Sequence, residues 1–339
     1  MNSVYKNLSS CGRHLLASAA LAFVMLPVSA QAQATSEVKA DSKSAATAVR
    51  RIAITIDDLP FETRRLKLAD EQRATKAILA TLQAHKVKAL GFVNEDRLLV
   101  KGEVDARIGL LESWLDAGME LGNHNFGHLG FHGSSLAKYQ EAVLRGDTFT
   151  RWLLQERKQV PRYYRYPHNQ TGDNPEVQKQ FEDFLQQHGY KIAPFTIEHD
   201  DFTYARVYED AVLKNRKEDA EHLRKAYLAN LDRAVNTFET MSDEMFGRQV
   251  SHILNIHASL LNADMLDKML SKLEQRGYQF ITLEEALQDP AYQLPAGPSA
   301  QYGMSWLARW ARMAKKRLSV YGQPDPEEWI MKWDQELQR

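Results

Sequence analysis

RIAITIDDLP, Arg51 to Pro60, is an apolar run that stops at two adjacent carboxylates and a proline. Ile52, Ala53, Ile54, Thr55 and Ile56 read as a buried β-strand, and Asp57 and Asp58 stand where its backbone must turn. Successive strand side chains point to opposite faces, but at a strand end the turn can bring two neighbouring acids toward one cleft. Taken alone the pair has an ordinary explanation, because Asp commonly opens turns and caps helices. The rest of the chain decides between these readings.

Outward from this strand, apolar runs alternate with helical patterns. Asp70 to Val87 carries Ala74, Ala77, Ile78 and Leu82 on one helical face, and Ala89 to Val93 reads as the next strand. Val104 to Ala117 is helical, Met119 to Gly122 a short strand, Leu136 to Arg157 a third helix and Tyr163 to Tyr166 a strand. Glu176 to His188 and Lys191 to Thr196 repeat the pattern, and Ala205 to Met241 is a long charged stretch with room for two helices. Ile253 to Ile256, Ala263 to Arg276, Tyr278 to Thr282 and Leu283 to Gln288 complete it. About seven βα units in about 240 residues, against the roughly 250 of an eightfold barrel, predict an α/β fold: a distorted or incomplete (β/α) barrel. An open doubly wound sheet is the alternative, but no Gly-rich dinucleotide fingerprint follows any of these strands.

The 339 residues carry 43 Lys and Arg against 44 Asp and Glu, so no basic excess draws the chain to nucleic acid. Residues 1–34 have the form of a signal peptide: Lys6 and Arg13 at the start, an apolar stretch from Leu15 to Val28, and small-residue cleavage positions at Ala30 or Ala34. The apolar stretch is shorter than the roughly 20 residues of a spanning helix. The expectation is export to the periplasm or the extracellular space, without a stable membrane span after cleavage. Cys11, the single cysteine, lies in this segment, so a metal site in the mature chain must use His and carboxylates. Residues 35–50, rich in Ala, Ser and Thr, read as a flexible linker to a domain over 51–290. Residues 291–339 read as a helical C-terminal extension in which Trp306, Trp310, Trp329 and Trp333 form either a packed face or a platform for sugar rings. Oligomeric state is left open.

A second constellation, Gly122-Asn123-His124-Asn125-Phe126-Gly127-His128, follows a predicted strand. Two His four residues apart can chelate one ion if the loop turns helically, and Asp58 would make a His, His, carboxylate set with open positions for water and substrate. TIDD at Thr55–Asp58 and HNFGH at His124–His128 resemble the first two motifs of the polysaccharide deacetylases, the NodB-homology family or carbohydrate esterase family 4. Arg165-Tyr166-Pro167, His199-Asp200-Asp201 and Leu254-Asn255-Ile256-His257 resemble its later motifs, in the same order. The similarity spans about residues 51–288.

The resemblance implies a metal-dependent hydrolase that removes N-acetyl groups from amino sugars of a polysaccharide or oligosaccharide. It implies a divalent ion, commonly zinc in this family, on Asp58, His124 and His128. Asp57 would be the general base, Arg165 would orient Asp57 with Asp200 or Asp201 holding the arginine, and His257 would be the general acid. Tyr166, Pro167 and His168 would wall the substrate groove. Three positions depart from the family pattern: Leu59 stands where Gly is usual, Asn125 where Ser or Thr is usual, and His168 where an aromatic is expected. They motivate one rival, a hydrolase of another amide or of O-acetyl esters on the same scaffold. A rival of another class is an inactive glycan-binding protein of the envelope.

Overall fold

A computed structural model of the chain describes residues 49–63, 65–299 and 303–339. The predicted signal peptide and most of the predicted linker lie outside these. Strand β1 (Arg50–Leu59) is the axis of the fold. Ile52, Ala53, Ile54 and Ile56 are at most 1% exposed, because helices or other strands cover both faces of a parallel sheet; this is why the run is continuously apolar rather than alternating. Fully burying each of these isoleucine side chains contributes about 1.5–3 kcal/mol.

Helix α1 (Leu68–Ala84) leads to β2 (Leu90–Val93), and α2 (Val104–Asp116) to β3 (Glu120–Asn123). The single helix expected over 136–157 is two, α3 (Leu136–Arg145) and α4 (Thr148–Glu156). The break falls at Gly146, where an added Cβ would sit 2.9 Å from the backbone C of Asn125 and the backbone N of Phe126. Glycine is thus required by close approach to the His124–His128 loop. The chain continues through β4 (Tyr163–Tyr164), α5 (Pro175–Gln187), β5 (Lys191–Ile192), α6 (Asp201–Leu213), α7 (Lys217–Phe246) and β6 (His252–His257). Helix α8 (Leu260–Gln275), β7 (Tyr278–Ile281), α9 (Leu283–Ala286), α10 (Trp306–Met313) and α11 (Glu328–Leu337) follow.

All paired strands are parallel, in the order β5-β4-β3-β2-β1-β6, with β7 on β1. Register runs from Arg50↔Tyr278 at the start of β1 to Asp57↔His257 at its end, so Asp57 and His257 emerge side by side. Beyond β5 the chain reaches β6 through the isolated parallel bridge Ile197↔Leu254. The result is the curled, incomplete barrel that seven strands, rather than eight, produce. Its sites lie at the C-terminal strand ends, as in complete barrels.

Helices α6 and α7 fill the long charged stretch and share a second core with α8 and α11, built from Tyr204, Tyr208, Tyr227, Leu261, Met265 and Ile330. The tail tryptophans are packed. Trp306 and Trp310 join the main core, Trp329 stacks on His222 at 4.7 Å, and Trp333 Nε1 donates to Asp210 at 3.1 Å. No helix of the described residues is long and apolar enough to cross a membrane.

Candidate metal centre and its catalytic neighbours

Asp57 and Asp58 end β1 at 3% and 4% exposure. Asp58 takes a positive φ of 62°, which turns the backbone so that both acids serve one cleft rather than opposite faces. Three asparagines then shape the loop after β3. Asn123 Oδ1 accepts from Asn125 N at 2.7 Å, Asn125 Oδ1 accepts from Phe126 N at 2.9 Å, and Asn94 Oδ1, at the end of β2, accepts from Gly127 N at 3.0 Å. Asn125, Gly127 and His128 all adopt positive φ. The departure at Asn125 therefore keeps a loop-forming acceptor in place.

This loop carries His124 and His128 to Asp58. One donor atom from each of the three lies within 4.8 Å of the others. His124 Nδ1 stands 3.0 Å from the Arg165 carbonyl oxygen, to which only an N–H can donate; its Nε2 is then the lone-pair nitrogen. For His128, burial first, with its histidine neighbours, outweighs the attraction of Asp58 and lowers the pKa to about 3, so the ring is neutral near pH 7. Burial pushes the Asp58 carboxyl up, but the coulombic pull of His128, Arg97 and His124 outweighs it and lowers the pKa below the ordinary carboxylate value. Asp58 Oδ1 is buried and has no hydrogen-bond partner among the described residues. An unpartnered buried carboxylate oxygen is costly. Beside two imidazoles it fits a divalent cation.

Arg165 sits 1% exposed beneath the acids. Its Nη1 donates to Asp57 Oδ1 at 2.9 Å, Asn255 Oδ1 at 2.9 Å and Thr55 Oγ1 at 2.7 Å; Nε and Nη2 reach the carbonyls of Ala193 and Pro194 at 3.1 and 3.2 Å. The expected support of Arg165 by Asp200 or Asp201 is corrected. Main-chain carbonyls after β5 satisfy the guanidinium instead, while Asp200 accepts from Gln323 Nε2 at 3.1 Å. Asp201 belongs to His257. It accepts from the His257 N–H at 2.7 Å, pairs with ring Nδ1 at 2.8 Å and accepts from Asn262 Nδ2 at 2.8 Å. Burial pulls the His257 pKa down, but Asp201, with Glu62 and Asp57, raises it to about 10.

The predicted groove wall is also corrected. Tyr166 is 3% exposed and packs against Tyr164 and Phe181, because strand alternation turns it away from the side that Arg165 faces, and Pro167 is buried. Of the three residues only His168 is exposed, its ring 4.4 Å from that of His128.

Several participants carried no assigned role in the sequence reading. Thr55 and Asn255 lie two residues before Asp57 and His257 on paired strands, so their shared face was legible from the two-residue period. Arg97, 3.6 Å from Asp58 Oδ2, and Asn262 have no such signal.

Residues 44–193 match the polysaccharide deacetylase family. A search among curated proteins finds no match. Solved structures that align with the chain include a Bacillus anthracis protein described as a family 4 carbohydrate esterase pseudoenzyme, at 18% identity and TM-score 0.47 over 71% of this chain and 66% of that one. The peptidoglycan deacetylase PdaC of Bacillus subtilis aligns at 22% identity and TM-score 0.46, covering 71% and 93%. A family 4 carbohydrate esterase of Streptomyces lividans aligns at 14% and 0.45, covering 70% and 95%. The sequence match to the polysaccharide deacetylase family encloses Asp58, His124 and His128, the same three residues that converge in space.

Proposed function

We propose that the protein is an exported, metal-dependent deacetylase that hydrolyses the N-acetyl groups of amino sugars in a polysaccharide or oligosaccharide. The observation that carries this reading is the cluster of buried Asp58 and His124 with half-buried His128, flanked by a base and an acid candidate on adjacent strands, Asp57 and His257. Asp58, His124 and His128 would hold a divalent ion, with zinc suited to such a donor set, and when bound it would supply Lewis-acid polarisation of the acetyl carbonyl and acidification of a water molecule.

The chain's own groups supply the proton traffic. Asp57 accepts the proton of the attacking water, and Arg165 fixes its Oδ1 so that Oδ2, 3.7 Å from His124 Nε2, faces the metal centre. His257 donates to the departing nitrogen, which is a poor leaving group unless protonated. Asp201 binds its Nδ1, which leaves Nε2–H as the donating position and keeps the ring charged near neutral pH. In this reading His168, whose ring lies exposed beside that of His128, would meet the sugar.

Acetate release from N-acetylglucosamine oligomers tests the reading. Asp57→Asn is expected to lose at least about a hundredfold in kcat. Turnover of simple amides or O-acetyl esters, with none of the sugars, would replace this substrate with its rival.

A further inference from the structure

Arg97 lies on the short turn Glu95–Leu98 that follows β2. Its Nη1 donates to the Phe61 carbonyl oxygen at 3.4 Å, which anchors the guanidinium to the loop after β1, and its Nη2 stands 3.6 Å from Asp58 Oδ2. The two oxygens of Asp58 therefore face different neighbours. Oδ2 faces a fixed cation, whereas Oδ1 faces His128 Nε2 at 3.9 Å and has no hydrogen-bond partner. A site built for affinity alone would not set a guanidinium beside the one carboxylate of its ligand set, because that charge repels any bound cation.

We infer that Arg97 is a positioning residue that restricts Asp58 to ligation through Oδ1 and moderates the affinity of the centre for a divalent ion. The inference rests on the proposed role of Asp58, His124 and His128 as the ligand set. Carboxylates can bind a cation through one oxygen or two. With Oδ2 engaged by Arg97, the protein offers three donor atoms rather than four, and more positions stay open for water and the substrate carbonyl. Arg97 is placed for this by its own short turn and by Phe61, not by the residues it would tune.

The test is a Co²⁺ titration of the full chain after removal of metal by a chelator, in wild type, Arg97→Met and Arg97→Lys. A chromophoric chelator in competition reads affinity, and the visible d–d absorption reads coordination. Without the guanidinium, Arg97→Met is expected to bind Co²⁺ about tenfold more tightly. Its d–d band is expected to weaken, because a second carboxylate oxygen raises the coordination number. Arg97→Lys, which keeps the charge, is expected to stay close to wild type in both. A folded Arg97→Met with wild-type affinity and spectrum would overturn the inference and leave Arg97 a partner of Asp58 for stability only. If Arg97→Met does not fold, Arg97→Gln is read by the same two criteria. Wild-type protein that takes up no Co²⁺ would instead overturn the ligand set, and this inference with it.

Discussion

Asp201 grips His257 at two points, accepting from its backbone N–H at 2.7 Å and pairing with ring Nδ1 at 2.8 Å. The ring is thereby fixed in orientation and held as a cation.

The first prediction follows from that charge. A histidine pKa raised from about 6.5 when unfolded to about 10 when folded contributes stability that is fully present below the unfolded value. It is lost as pH rises through the folded value. Urea unfolding of the wild type is expected to show falling stability from about pH 7 to pH 10, and Asp201→Asn is expected to flatten that slope. The same variant moves the alkaline limb of kcat/KM to lower pH. A limb that stays in place would remove His257 as the acid.

Arg165 gives the second prediction. Arg165→Met leaves Asp57 as a buried charge without its cation, an arrangement that costs about 3–5 kcal/mol. Chemical denaturation is the check. Arg165→Lys keeps the charge but cannot reach Asp57, Asn255 and the Ala193 and Pro194 carbonyls together, so kcat falls while the fold survives.

Gly146 links the breadth of the fold to the metal centre. A Cβ at this position presses on the backbone of Asn125 and Phe126, between the two histidines. Gly146→Ala is expected to destabilise by about 1–3 kcal/mol and to weaken metal uptake more than melting temperature would suggest. Unchanged uptake, measured by metal titration, would mean that the loop yields without moving His124 or His128.

The C-terminal helix is tested through Ile330, which is 0% exposed against α6 and α8. Ile330→Ala is expected to cost about 2–5 kcal/mol. Trp329→Ala should leave binding of N-acetylglucosamine oligomers unchanged, because its ring is stacked on His222. Weakened glycan binding in a pull-down would restore the sugar-platform reading.

The barrel was legible because the central strands β1, β2 and β6 carry apolar runs followed by helical patterns, and because Asp57, Asp58, His124 and His128 stand at or just after strand ends. Helix boundaries moved where a contact remote in sequence intervened, as at Gly146 against Asn125. The partner of Arg165 was misassigned for a related reason: Asp200 and Asp201 are adjacent in sequence, but the start of α6 sends them to Gln323 and His257. Tyr166 looked like a groove residue because of the Arg-x-Pro context. Its burial against Phe181 depends on how α5 packs on that strand end, a contact remote in sequence. Arg97 had no signal, since a lone arginine on a short turn gains meaning only from its distance to Asp58.

In the proposed reaction, deacetylation depends on one divalent ion held by Asp58, His124 and His128. This dependence is tested most directly by measuring acetate release from N-acetylglucosamine oligomers as Zn²⁺ is titrated into chelator-stripped protein. No release is expected at zero metal, with a rise that saturates near one equivalent and no recovery in His128→Ala. Release that persists at full rate in the stripped protein, or that His128→Ala recovers with wild-type stoichiometry, would contradict it.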